Sequence, residues 1–310
     1  GYNAALLAHV VGPSGSVTAV DVDADLVAGA RRNLAAAGCA GVTVLCADGA
    51  GGWPPGAPYD RIILTVGAGD LLPAWVEQLD AGGRLLLPLR LRGVQASIAF
   101  DTTDGRLRST SVVGCSFMPL RGAMAGPDLV RSIGPRGEVE AELAAPRPLD
   151  APGVWTALAA PGAPLTTGVT VSREEAVEGA GPWVAISDPD AVTLLTRRAA
   201  GPARRLPTLT GVPARSAACR GLVASDGLAL LEPAGSPPAF ELVARPYGPS
   251  GAVLGRRLAG HVRRWDQAGR PTLADLRVDA WVGGGRPGPP TGRLVLELDH
   301  AVVELDWARR

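Results

Sequence analysis

Apolar residues recur at helical spacing over residues 2–10, where Leu6, Leu7 and Val10 share one face. Gly12-Pro13-Ser14-Gly15 breaks that pattern, and residues 16–22 alternate into a β-branched run that ends around Asp21 and predicts a strand. Residues 24–37 return to the helical period, with Leu26, Val27, Ala30 and Leu34 on one face and Gly38 as the stop. Residues 42–46 predict a second strand, with Asp48-Gly49 just beyond its end, and residues 61–66 a third. A short helix is expected over 71–79. Gly82-Gly83 predicts a turn into the apolar run 84–88, and residues 96–100 continue in strand-like fashion. Strands alternating with helices at this spacing imply an α/β fold with a parallel sheet covered on both faces. Ligands of such sheets sit beyond the carboxyl ends of the strands, where Asp21, Asp48 and Val66-Gly67 all fall.

The texture changes near residue 145. Pro-rich stretches (Ala145-Pro146-Arg147-Pro148, then residues 161–164) lead into short strands and loops. One clear helix is expected there, over 252–268, with Leu254, Leu258, Val262 and Trp265 on one face. Arg256, Arg257, Arg263 and Arg264 on its other faces read as a solvated surface in preference to a dock for an acidic peptide. Residues 283–292 read as an exposed loop between two late strands. The expected division is residues 1–145 as one domain and 146–310 as a C-terminal α+β accessory domain.

Composition narrows the function. Thirty basic residues, all Arg, balance thirty acidic ones, which argues against a binder of nucleic acid or membranes driven by charge. Cys39, Cys46, Cys115 and Cys219 lack metal-ligand spacing and form no dense disulfide framework, so reduced thiols, a cytoplasmic setting and no metal are expected. No apolar run approaches the roughly 20 residues of a membrane helix.

A glycine turn lets backbone approach a ligand closely, and the helix that follows offers free N–H groups. An acid ending the next strand accepts from both ribose hydroxyls, and Gly1 and Asp21 stand about 20 residues apart as that pairing requires. Dinucleotide dehydrogenases use the same device. Asp21 also reads as a plain strand-end residue, with Asp23 or Asp25 as helix N-cap. Asp48-Gly49 at the following strand end changes the balance. A carboxylate there accepts from an adenine amino group, and two acids at successive strand ends suit S-adenosyl-L-methionine better than a dinucleotide.

The segments GYNAALLAHVVG, VTAVDVDADLVAGARRNL, VTVLCADGAGGWPPGAPYDRIILTVGA, LPAWVEQLDAGGRLLLPL and CSFMPLRG resemble, in order and spacing, the protein-L-isoaspartate O-methyltransferase family over residues 1–122. The resemblance implies a Rossmann-like methyltransferase sheet, S-adenosyl-L-methionine as cofactor, and a peptide or protein substrate carrying aspartate or isoaspartate. It implies cofactor contacts at Gly1, Tyr2, Asn3, Asp21, Val22, Asp48 and Gly49. Substrate contacts would come from Thr65, Val66, Gly67, Ala68, Phe117, Met118, Pro119 and Leu120, with Asp70 and Arg121 as further polar candidates. Phe117 reads equally as core packing. Arg121 stands where a small hydroxyl residue is expected, and either grips a peptide carboxylate or faces water. Gly1 would be the last glycine of the turn after the first strand. A preceding segment, carrying the catalytic side chains, is therefore expected, and none is named in this chain; His9, His261 and His300 receive no role.

Methyl transfer from a sulfonium to an already ionised carboxylate calls for alignment more than for a base. Repair enzymes of the family end soon after the Phe-x-Pro-Leu segment, whereas almost 190 residues follow it here. That tail looks similar to an extended actinobacterial branch that tailors ribosomally made peptides by way of an aspartimide. General isoaspartyl repair and a non-catalytic peptide scaffold are the alternatives.

Overall fold

The computed structural model describes residues 1–198, 200–207, 218–236, 238–284 and 293–307. The chain opens with helix α1 (Tyr2–Val11), strand β1 (Thr18–Asp21), helix α2 (Ala24–Ala36) and strand β2 (Thr43–Cys46). Asp23 caps α2, its carboxylate accepting from the N–H groups of Asp25 and Leu26. The buried stripe of α2, Val27 and Leu34, closes a small core with Ala4 and Val44. β1 and β2 pair in parallel, with Asp21 opposite Cys46.

β3 (Tyr59–Ile63), α3 (Pro73–Glu77) and β4 (Leu79–Leu91) follow, and β3 pairs with β4 in parallel. Gly82-Gly83 is not a turn. It lies inside β4, where the pairing with β3 shifts register. The chain then folds back twice, through β5 (Val94–Thr103) and β6 (Arg106–Gly114). Both reversals are tight, with positive φ at Arg92 and at Asp104-Gly105. Two-residue connections of this kind dictate antiparallel neighbours. The single parallel sheet expected from the sequence is therefore met only in the pairs β1–β2 and β3–β4, which lie in separate sheets.

The remaining elements are β7 (Val130–Ile133), β8 (Val139–Leu143), α4 (Ala151–Leu158), β9 (Leu165–Ser172), a π-helical turn (Glu175–Ala180), α5 (Gly181–Ser187), β10 (Ala191–Thr196), β11 (Ala218–Val223), β12 (Leu228–Ala234), β13 (Ala239–Tyr247), α6 (Gly251–Gln267), β14 (Leu276–Val282), β15 (Leu294–Glu297) and β16 (Ala301–Trp307). One seven-stranded sheet has the order β15-β16-β14-β6-β5-β4-β3, and the other β7-β8-β10-β11-β12-β13-β9. β7 and β8 thus join the second sheet from before residue 145, and β14 to β16 return to the first from near the end of the chain. A single hydrophobic core joins residues of both sheets, including Leu87 and Ile98 of the first, Leu231 and Leu242 of the second, and Val184, Leu258 and Trp265 of α5 and α6. The arginines of α6 are exposed as expected, although Arg257 also pairs with Asp188 and Asp190. Of the expected loop 283–292, residues 285–292 lie outside the described residues.

Candidate functional site

The two acids read from strand ends come together. Asp21 closes β1, and the backbone carbonyl of Asp21 accepts from Ala47 N–H at 3.0 Å, which brings Asp48 to the neighbouring strand end. The Asp21 carboxylate accepts from Asp23 N–H at 2.9 Å. Asp48 caps the short helical turn Gly49–Gly51, accepting from Ala50 N–H at 2.9 Å. Its second oxygen accepts from Ala123 N–H at 2.7 Å, across 75 residues of chain. These two donors, Ala123 before Ala50, hold the Asp48 carboxyl below its usual pKa.

Residues 121–123 therefore pass directly over both acids. Gly122 has φ of 101°, and a Cβ there would fall 2.4 Å from the Asp48 carboxylate, so only glycine fits this approach. Arg121 sits on the side of the acids. Its Nη2 lies 3.9 Å from Asp21 Oδ1 and 3.8 Å from Asp23 Oδ2, with the side chain still largely exposed. Neither use expected for Arg121, a grip on peptide or a purely solvent-facing position, foresaw that placement.

The expected substrate wall is assembled by backbone pairing. Gly67 N–H donates to Met118 O at 2.7 Å, Leu120 N–H donates to Gly67 O at 2.8 Å, and Gly67 bridges Pro119 in parallel. Ala68 joins β4, donating to Pro88 O at 2.8 Å and accepting from Arg90 N–H at 3.0 Å. Thr65 and Val66 lead from β3 into this junction. Phe117 and Met118 stand 42% and 79% exposed, unlike core residues. Gln95 of β5 ties the wall down, its carboxamide oxygen accepting from Phe117 N–H.

Asp70 is committed elsewhere. One carboxylate oxygen accepts from Leu71 N–H at 2.7 Å; the other meets His300 N–H at 2.8 Å and His300 Nδ1 at 2.9 Å. It fastens the turn before α3 to the β15–β16 hairpin and does not stand free at a mouth. At the other end, Gly1 is the N-cap of α1, and Tyr2 and Asn3 are exposed on its first turn. Val22 is likewise exposed, and Gly49 opens the turn capped by Asp48. The run from Asp48 to Asp60 is stitched by buried Gln78, which accepts from Trp53 N–H at 2.7 Å and donates to Gly51 O at 2.9 Å. Trp75 Nε1 donates to Gly49 O at 2.9 Å. Gln78, Gln95 and His300 carry no signature in the sequence, because their partners lie 22 to 230 residues away.

Asp21 and Asp48 thus stand at the carboxyl ends of two adjacent parallel strands. Residues 1–125 match the family model described as Protein-L-isoaspartate(D-aspartate) O-methyltransferase. The protein-L-isoaspartate O-methyltransferase of Hyperthermus butylicus is 41% identical over 131 residues, covering 39% of this chain and 54% of its own. That of Methanopyrus kandleri is 42% identical over 124 residues, covering 39% and 55%. The chain thus spans about half the length of the curated relatives it matches. A solved protein-L-isoaspartate O-methyltransferase aligns over 90% of this chain and 69% of its own, with 20% identity and a TM-score of 0.42, too low to bear on the fold.

Proposed function

We propose that this is an S-adenosyl-L-methionine-dependent carboxyl O-methyltransferase acting on an aspartyl or isoaspartyl group of a peptide or protein. The observation that carries this reading is the placement of Asp21 and Asp48 at neighbouring strand ends, within the segment that matches the family. The two carboxylates are acceptors of the kind a ribose hydroxyl or an adenine amino group needs. Asp48 is held ionised by two backbone N–H groups, and each carboxylate oxygen retains a lone pair for a hydroxyl or amino donor. On this reading the parallel pair β1–β2 carries the cofactor acids, and residues 65–68 with 117–120 form the peptide side.

When bound, the cofactor supplies a methyl group on a sulfonium. Asp21 would hold the ribose and Asp48 the adenine, with Val22 and Gly49 beside them; Gly1, Tyr2 and Asn3 open α1, where Gly1 packs against Ala30 and Leu34 of α2. The exposed Phe117 and Met118 offer an apolar face that keeps water from the reacting carboxylate, whose ionisation at neutral pH removes the need for a base in this chain. Arg121 and Ala123 would have to share or release the acids as the nucleoside arrives.

The finer reading is tailoring of one ribosomally made peptide through an aspartimide, in a cytoplasmic setting consistent with four free thiols. Support comes from the large β-rich part that follows the family segment, which offers room to hold a particular substrate. General repair and a non-catalytic scaffold are its rivals. Calorimetric titration with S-adenosylhomocysteine is expected to show binding that Asp48→Ala weakens about tenfold or more. Methylation by the full-length protein is expected to favour a precursor peptide over a generic isoaspartyl peptide. The reverse preference would overturn tailoring, and peptide binding without cofactor affinity would establish the scaffold.

A further inference from the structure

A cavity of about 480 Å³ lies behind the expected substrate wall, between β5 and β6 of the first sheet and the π-helical turn and β11 of the second. Its walls combine apolar side chains, Val94, Val112 and Leu273 among them, with the polar Gln95, Glu178 and Thr272, and Arg220 of β11 lines it from the second sheet. Arg220 Nη1 is buried and has no hydrogen-bond partner. An arginine keeps its charge in any protein setting, so a guanidinium with a buried, unpaired nitrogen is costly unless an anion joins it.

The surrounding charges do not supply that anion. Glu142, Thr193 and Arg220 lie directly opposite one another across β8, β10 and β11, on one face of the sheet. Glu142 is the nearby acid that acts on Arg220, but its carboxylate already pairs with Arg90. Glu142 therefore forms an ion pair with Arg90 and none with Arg220. Glu178, an acid of the cavity wall itself, is exposed on the π-helical turn. Gly181 packs beside the guanidinium, where a Cβ would stand 3.4 Å from Nη1.

The cavity is joined to the substrate wall through Gln95, which lines it and accepts from Phe117 N–H. We propose that this cavity is a carboxylate subsite in which Arg220 receives an acidic group, carried on an apolar stem, from the peptide whose aspartyl or isoaspartyl residue meets the wall at Phe117. The identity of the carrier rests on the methyltransferase reading above; the anion site itself does not.

The first test uses small probes on the whole protein. Titration with 4-methylpentanoate is expected to show binding that the matched 4-methylpentanamide lacks, and Arg220→Met is expected to weaken the acid about tenfold or more. Arg220→Met is also expected to melt no lower than the parent, since it removes an unpaired buried charge; Arg220→Gln gives a second reading of the same loss. Equal binding of acid and amide, or undiminished binding by both variants, would overturn the subsite. Isoaspartyl peptides then distinguish the source of the carboxylate. A KM raised about tenfold by Glu→Gln in the peptide marks a side chain, and the same rise on C-terminal amidation marks the terminus. No change in either series would overturn the peptide as carrier. Failure to methylate any peptide while the acid still binds would refute the parent reading and leave the anion site standing.

Discussion

Asp48 accepts from two backbone amides that belong to distant parts of the chain, Ala50 beside it and Ala123 from the segment after the Phe-Met-Pro-Leu stretch. Both bonds favour the ionised form, so its pKa in the folded protein lies below the unfolded value of about 3.9. A depressed carboxyl contributes its stability above the unfolded value and loses it as pH falls through the folded one. The tether over the acids is thus complete at neutral pH and released only in acid. A carboxyl-detected NMR titration is expected to place the Asp48 midpoint below the ordinary carboxylate range. Ala123→Pro, which deletes the dominant donor, is expected to move it back upward; a midpoint already at the ordinary value would refute the arrangement. At this scale the sequence was informative about which acids matter, because strand ends can be read from local pattern. It was silent on what reaches them, since Arg121 and Ala123 are brought there by tertiary structure alone.

Among the elements, α1, α2 and α6 follow directly from the spacing of their apolar residues, and β1 and β2 from short β-branched runs. The antiparallel part was harder to see. Its one local signal was Asp104-Gly105, a pair that favours the positive φ of a tight hairpin. Glycine at 105 adopts φ of 72° with open space around it, so a side chain there costs backbone strain and no clash. Gly105→Ala is expected to lower stability by about 1–2 kcal/mol, measured by urea denaturation. An unchanged midpoint would mean that the β5–β6 turn is not held in this conformation. Gly82-Gly83 shows the opposite failure. A glycine pair there reads as a turn, yet a strand also uses glycine to absorb a bulge, and sequence alone does not separate the two.

For the whole molecule, the decisive fact is that one core joins both sheets. Leu258 of α6 is fully buried in it, together with strand residues from each sheet. Leu258→Ala is expected to cost about 2–5 kcal/mol and to shift a single calorimetric transition to lower temperature. Two transitions, with only one of them displaced, would show that the sheets unfold independently. The pairing that completes the first sheet left no trace in local pattern, because β14 meets β6 from far along the chain. Arg108 stands opposite Asp279, 171 residues later. That separation has a consequence during synthesis. At about 5–20 residues per second, β6 leaves the ribosome about ten to thirty seconds before the strand that covers its edge. Through that interval its free N–H and C=O groups are open to any passing strand, so the yield of native protein is set in part by whatever shields β6 while translation finishes.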